Sequence, residues 1–163
     1  MTADFLADFR RTVTESADRL LAYSDADAAQ PLAPGKWSRK EIIGHLIDSA
    51  ANNHARFVRA QLQDDLVFDG YEQARWVEVQ RYRERPWTEL VGLWQAYNVH
   101  IAAVMQSAGP AAVARPRARH NLDRIAMNGV GAAEPATLGY FMRDYVAHLK
   151  HHLQQVFVPS KSE

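Results

Sequence analysis

Cysteine is absent from this 163-residue sequence, which excludes disulfide scaffolding, thiolate metal ligands and a cysteine nucleophile together. Charge of either sign is not in excess, since 19 basic residues face 19 acidic ones. A balanced chain has no whole-molecule attraction for nucleic acid or anionic lipid, so neither is an expected partner. No apolar run approaches the roughly 20 residues that span a bilayer. The N-terminal MTADFLADFRRTV carries acids early and lacks the basic-then-apolar layout of a signal segment. A cytoplasmic address is the expectation. Strict apolar–polar alternation is missing as well, which argues against half-buried strands. The length fits one domain, residues 1–163, able to bury about two-thirds of its unfolded surface.

What is present is helical periodicity in four stretches. The first runs over about 3–22, with Leu6, Phe9, Val13, Ala17 and Leu20 on one stripe. QPLAPGKW then breaks the pattern. Ser38 and Glu41 form an S-x-x-E capping box, and Trp37 and Ile42 hold the two positions of a hydrophobic staple. The helix that they start is expected to reach 59 or 61. Residues 63–87 read as a loop containing a short helix near 74–80. A third long helix follows over 88–107, expected to bury Leu90, Leu93, Trp94, Tyr97, Ile101 and Val104. Residues 109–136 are rich in glycine and proline and read as a long irregular connection. The fourth helix covers 136–157, closed by Pro159. The expected fold is therefore all-α, a four-helix bundle with two long connections.

Seven histidines stand out, three of them in Tyr145-Val-Ala-His-Leu-Lys-His-His. His148 and His152 are i and i+4, one turn apart on one helical face, a spacing that lets two imidazoles converge on one ion. The H-E-x-x-H zinc motif uses that geometry, but its glutamate is missing here. The core stripe Leu138, Phe141, Met142, Tyr145, Leu149, His152 and Val156 includes one of the pair and leaves His148 at its edge, while His151 points outward. The plain alternative is a pair of core-edge imidazoles donating to backbone carbonyls. His45 adds weight. It borders the apolar arc of its helix at the head of a polar row continued by Ser49, Asn52 and Arg56, and such a row beside a core is costly unless paired or used. Three imidazoles leave coordination positions open, as in a catalytic site.

Other candidates are weaker. Asp48 and Asp144 lie one turn from the histidines and can orient an imidazole through its second nitrogen, although an ordinary solvated helix acid is the preferred reading. Tyr71, Gln73 and Trp76 are placed to line a pocket mouth or simply to cap the bundle end. Arg115, Arg117, Arg119, His120 and Arg124 form a basic run without interleaved aromatics, which reads as a solvated loop ahead of an anion site or a nucleic-acid patch. His54 and His100 read as packing histidines.

Two elements together carry a family resemblance: Trp37-Ser38…Glu41…His45…Asp48-Ser49, and His148-Leu-Lys-His151-His152. With Gly70-Tyr71-Glu72-Gln73, Trp76, Gln80 and Leu93-Trp94…Tyr97-Asn98…His100, the chain resembles the DinB-like (YfiT-like) metal-dependent hydrolases over roughly residues 30–157. One departure is Glu72, where many members carry Asp. The resemblance implies a four-helix bundle, a homodimer, and one divalent ion, nickel or zinc, on His45, His148 and His152. It implies a small-molecule substrate, and either hydrolysis or transfer of a low-molecular-weight thiol onto an electrophile. No glutamate base accompanies the histidines, so the catalytic residues beyond the ion stay unassigned. The alternatives are a non-catalytic metal-binding module of stress-response or sensor type, and a helical dimer with purely structural histidines.

Overall fold

The computed structural model describes residues 1–157; the expected stop at Pro159 lies outside them. The four long helices are α1 (Ala3–Leu21), α3 (Arg39–Leu62), α5 (Trp87–Ser107) and α8 (Leu138–Phe157). Between them sit α2 (Asp25–Ala29), α4 (Gln73–Gln80), a 3₁₀ turn (Tyr82–Glu84), α6 (Pro110–Ala114) and α7 (Leu122–Ile125). Strands are absent among the described residues; only three isolated bridges occur.

Pairwise contacts give the helix directions. Trp87 Nε1 donates to the Leu20 carbonyl and Arg10 reaches Gln106, so α1 and α5 are antiparallel. Arg39 Nε donates to the Val156 carbonyl, which sets α8 antiparallel to α3. Lys150 bonds Asp8, and the Arg19 guanidinium lies 3.7 Å over the Phe157 ring, so α1 and α8 run together. The bundle is thus up–down–down–up, with α5 packed on both α1 and α3, and α8 closing on α3. Parallel neighbours cannot be joined by a tight turn. Residues 63–86 must return along the bundle before α5 can start beside α3, and α4 forms on that return.

Side-chain caps mark the starts of α1, α2 and α3. Ser38 and Glu41 make the full capping box, with Ser38 N donating to Glu41 Oε2 at 2.7 Å. Trp37 and Ile42 line one surface groove beside it. Ser24 caps α2, a short helix not expected from the sequence. Asp25 on α2 accepts from Lys40 Nζ and from Trp87 N, tying the starts of α3 and α5 together.

Three expectations shift. The fourth helix starts at Leu138 and not at Ala136, because Ala136 pairs with Arg117 in a backbone bridge and Thr137 Oγ1 accepts from Tyr140 N. Leu93 is 43% exposed, and Tyr97 and Val104 are half-buried; α5 turns Val91, Asn98, Ala102 and Met105 inward because it is packed from two sides. The basic run is not simply solvated. Arg117 is buried and donates to the carbonyls of Ala60, Ala112 and Arg115, pinning the last connection across the end of α3. Arg115 pairs with Asp64 and Arg119 with Asp65.

Candidate metal centre

His45 lies less than two turns inside α3, so the cap that starts the helix also fixes where this ring points. The Arg39–Val156 bond sets the register of α8 opposite. His45, His148 and His152 then meet, with one ligand-type nitrogen of each within 4.8 Å of the others. His45 Nε2 and His148 Nε2 are 3.3 Å apart. The His45 and His152 ring centroids are 4.7 Å apart, and those of His148 and His152 4.6 Å. His45 is fully buried, deeper than its border position suggested, whereas His152 is half-buried and Leu153 takes the core position beside it.

The environment favours neutral imidazoles, the form that binds metal. Burial, then the charge of His152, holds His45 down to about 4. Burial, followed by His152, His45 and His151, brings His148 to about 3. His152 is also lowered by burial, against a hydrogen bond from its Nδ1 to Gln155 Oε1. Gln155 reaches the exposed His151 as well. Trp37 lies against His45 at 5.5 Å between centroids, and His45 Nδ1 has no hydrogen-bond partner among the described residues.

A cavity of about 240 Å³ opens beside the cluster, with His148 in its wall. Ser49, Asn53 and Arg56 line it from α3, and Tyr71 and Gln73 from the return segment. Arg124 to Met127 and Phe141, Asp144, Tyr145 and His148 complete it. Of the row expected on α3, Ser49 and Arg56 face this space and Asn52 does not. Its amide donates to the Asp48 carbonyl, and it lines a separate groove with Trp76. Asn53 takes its place because α8 and the last connection close on one side of the row, leaving Asn52 on the side of α4.

Asp48 and Asp144 are not solvated acids. Asp48 is 3% exposed and accepts from Gln80 Nε2 and Tyr82 Oη, each at 2.7 Å; burial raises its carboxyl against those bonds. Asp144 is 6% exposed and accepts from the backbone of Met127 and Asn128, so it shapes the cavity wall. Neither has a hydrogen bond to an imidazole among the described residues. Gly44 makes room for this arrangement: a Cβ there would lie 2.1 Å from the Tyr82 ring.

Arg56 is buried and donates to the Asp69 carbonyl, and Arg124 of α7, which also lines the cavity, is exposed and pairs with Asp123. Tyr71 is pushed up to about 12, first by burial and then by Asp48, against the pull of Arg56. Tyr145 is raised by burial and donates to Asn98 Oδ1 at 2.6 Å. The sequence reading missed Asn53, Tyr145 and residues 125–127 as cavity residues. Only Asn53 had a signal, its helical spacing from Ser49. The segment 125–127 has no periodicity to betray which way it faces.

The family model for the DinB superfamily matches residues 8–156. The fold is similar to that of YfiT from Bacillus subtilis, described as a probable metal-dependent hydrolase with an unusual four-helix bundle topology. That match has a TM-score of 0.72 and 17% identity, covering 96% of this chain and 86% of the other. A mycothiol-dependent maleylpyruvate isomerase is similar at a TM-score of 0.68 and 10% identity. The match covers 98% of this chain but 62% of the isomerase. No curated protein sequence matches. No described helix is long and apolar enough to cross a membrane.

Proposed function

The chain belongs to the DinB superfamily, and on that premise we propose that it is a divalent-metal-dependent enzyme acting on a small anionic molecule. His45, His148 and His152 would hold one ion, nickel or zinc. The fit rests on three neutral imidazoles whose nitrogens lie within 4.8 Å, one of them forming the wall of a polar cavity. When bound, the ion supplies Lewis acidity toward a water or a thiol. That His148 belongs to both the cluster and the cavity is the observation that carries this reading.

The chain's own residues supply the rest. Arg56 and Arg124 line the cavity and would supply guanidinium groups for a carboxylate or phosphate on the substrate. Tyr71 keeps its phenolic proton at neutral pH and serves as a donor. Asp144 holds the 127–128 backbone that closes the wall. A cavity of about 240 Å³ suits a small molecule, which favours hydrolysis of a small ester or amide bearing an anionic group. Transfer of a low-molecular-weight thiol is the second reading, favoured by the similarity in fold to the mycothiol-dependent isomerase. The family resemblance also carries a cytoplasmic homodimer, open to fractionation and sedimentation measurements.

The test is elemental analysis of the purified protein, with turnover panels of anionic esters, amides and thiol-plus-electrophile pairs. One tightly held ion per chain is expected, lost in both His45→Ala and His152→Ala, with turnover lost alongside. Full occupancy in both variants overturns the assignment. Metal without turnover on any panel leaves the non-catalytic metal-binding module in its place.

A further inference from the structure

α3 carries two histidines that do not share a face. His45 and His54 are nine residues apart, which at 100° and 1.5 Å per residue sets them on opposite sides of the helix, roughly 13 Å apart along its axis. His45 turns to α8. His54, half-buried, turns to α5 and meets the exposed His100.

Their geometry resembles that of the first pair. His54 Nε2 and His100 Nε2 are 3.3 Å apart, with ring centroids 4.8 Å apart and planes at 69°. For His45 and His148 the values are 3.3 Å, 5.2 Å and 75°. Two imidazoles bonded to one tetrahedral ion at about 2.0–2.1 Å place their nitrogens about 3.3 Å apart. Neither ring has another hydrogen-bond partner among the described residues. Burial, then the charge of His100, keeps His54 below the ordinary imidazole range, which favours the neutral ring at neutral pH. Tyr97 packs against His54 at 5.9 Å and limits its ring to this side.

We propose that His54 and His100 form a second divalent-metal site, on the outer seam between α3 and α5 and separate from the three-histidine centre. Two imidazoles with water in the remaining positions select ions by nitrogen preference, so Cu²⁺ binds ahead of Ni²⁺ and Zn²⁺. With two protein ligands and an exposed ring, the site binds more weakly than the three-histidine centre. A bound ion clips two parallel helices whose connecting segment is long, and so raises the melting temperature of the bundle.

The test uses tag-free protein stripped by chelator and titrated with Cu²⁺ alone, followed by calorimetry and by electron paramagnetic resonance. Wild type is expected to show two classes of site, the second at least tenfold weaker. His54→Gln and His100→Gln each remove the second class and keep the first, with the helicity and melting temperature of the metal-free chain unchanged. His152→Ala weakens or removes the first class and keeps the second, so failure of the proposed enzyme centre is distinguishable from failure of this site. A single class in wild type, or two unaltered classes in the His54→Gln/His100→Gln double variant, overturns the proposal and leaves an N–H···N hydrogen bond between the rings.

Discussion

The α1–α5 seam is almost wholly apolar, whereas the α3–α8 side of the same bundle sets buried polar groups, most of them on α3, among its apolar ones. The buried residues of α1 are Leu6, Phe9, Val13, Ala17 and Leu20, with Ser16 the one polar member. Those of α5 include Leu90, Val91, Trp94, Ile101 and Met105, with Asn98 alone carrying a polar side chain outside the aromatics. On α3 and α8 the buried set includes His45, Asp48, Ser49, Asn53, Arg56 and Asp144. Each buried polar group costs about 1–3 kcal/mol if left without a partner, and here most have one. The difference teaches that stability and chemistry are divided between seams. The apolar seam supplies burial that offsets the cost of holding His45, Asp48 and Asp144 away from water.

That division breaks or sharpens under substitution. Phe9→Ala should cost about 3–5 kcal/mol in urea unfolding, since Phe9 is fully buried, yet leave metal content per folded chain unchanged. If the ion goes with the stability, the seams are not independent. Acid should strike the other seam. His45 at about 4 and His148 at about 3 lie below the roughly 6.5 of an unfolded imidazole. The unfolded chain therefore takes up protons first, so this stability is complete above about pH 6.5 and falls as pH drops toward 3–4. Metal-free protein should lose a few kcal/mol between pH 7 and 4.5, measured by denaturant unfolding. A His45→Gln/His148→Gln variant should show a flatter profile; an unchanged slope would remove the cluster as its cause.

Smaller effects probe the supports. Gly44→Ala should cost about 1–3 kcal/mol, because the added carbon meets the base of the buried Tyr82 ring and displaces its bond to Asp48. Thermal unfolding checks it, and a neutral result would mean that Tyr82 repositions freely. Ser38→Ala should cost about 1 kcal/mol by removing half of the capping box, with a small loss of metal affinity as the first turns of α3 loosen. Metal affinity unchanged beside the lost stability would separate the cap from the orientation of His45.

Much of the helix layout is legible in the residues. The stripe of α1, the Ser38–Glu41 box and the i, i+4 spacing of His148 and His152 are local patterns, and local patterns survive into the fold. The N-terminal boundary of α8 is less legible, because Ala136 is taken by a backbone partner in the distant 117 region. The environments of Asp48 and Asp144 were illegible for the same reason. Gln80, Tyr82 and the 127–128 backbone reach them from connections whose path no periodicity reveals.

By itself the sequence determined four amphipathic helices, the capping box that starts one of them, and three histidines on faces able to turn inward. Those properties depend on neighbours within a few turns, where chain geometry alone sets the angle between side chains. Only the tertiary structure decided the up–down–down–up order, the burial of the two aspartates, the cavity beside His148 and the meeting of His54 with His100. Each of these joins residues far apart in the chain, and their distances are set by how helices pack and connections return.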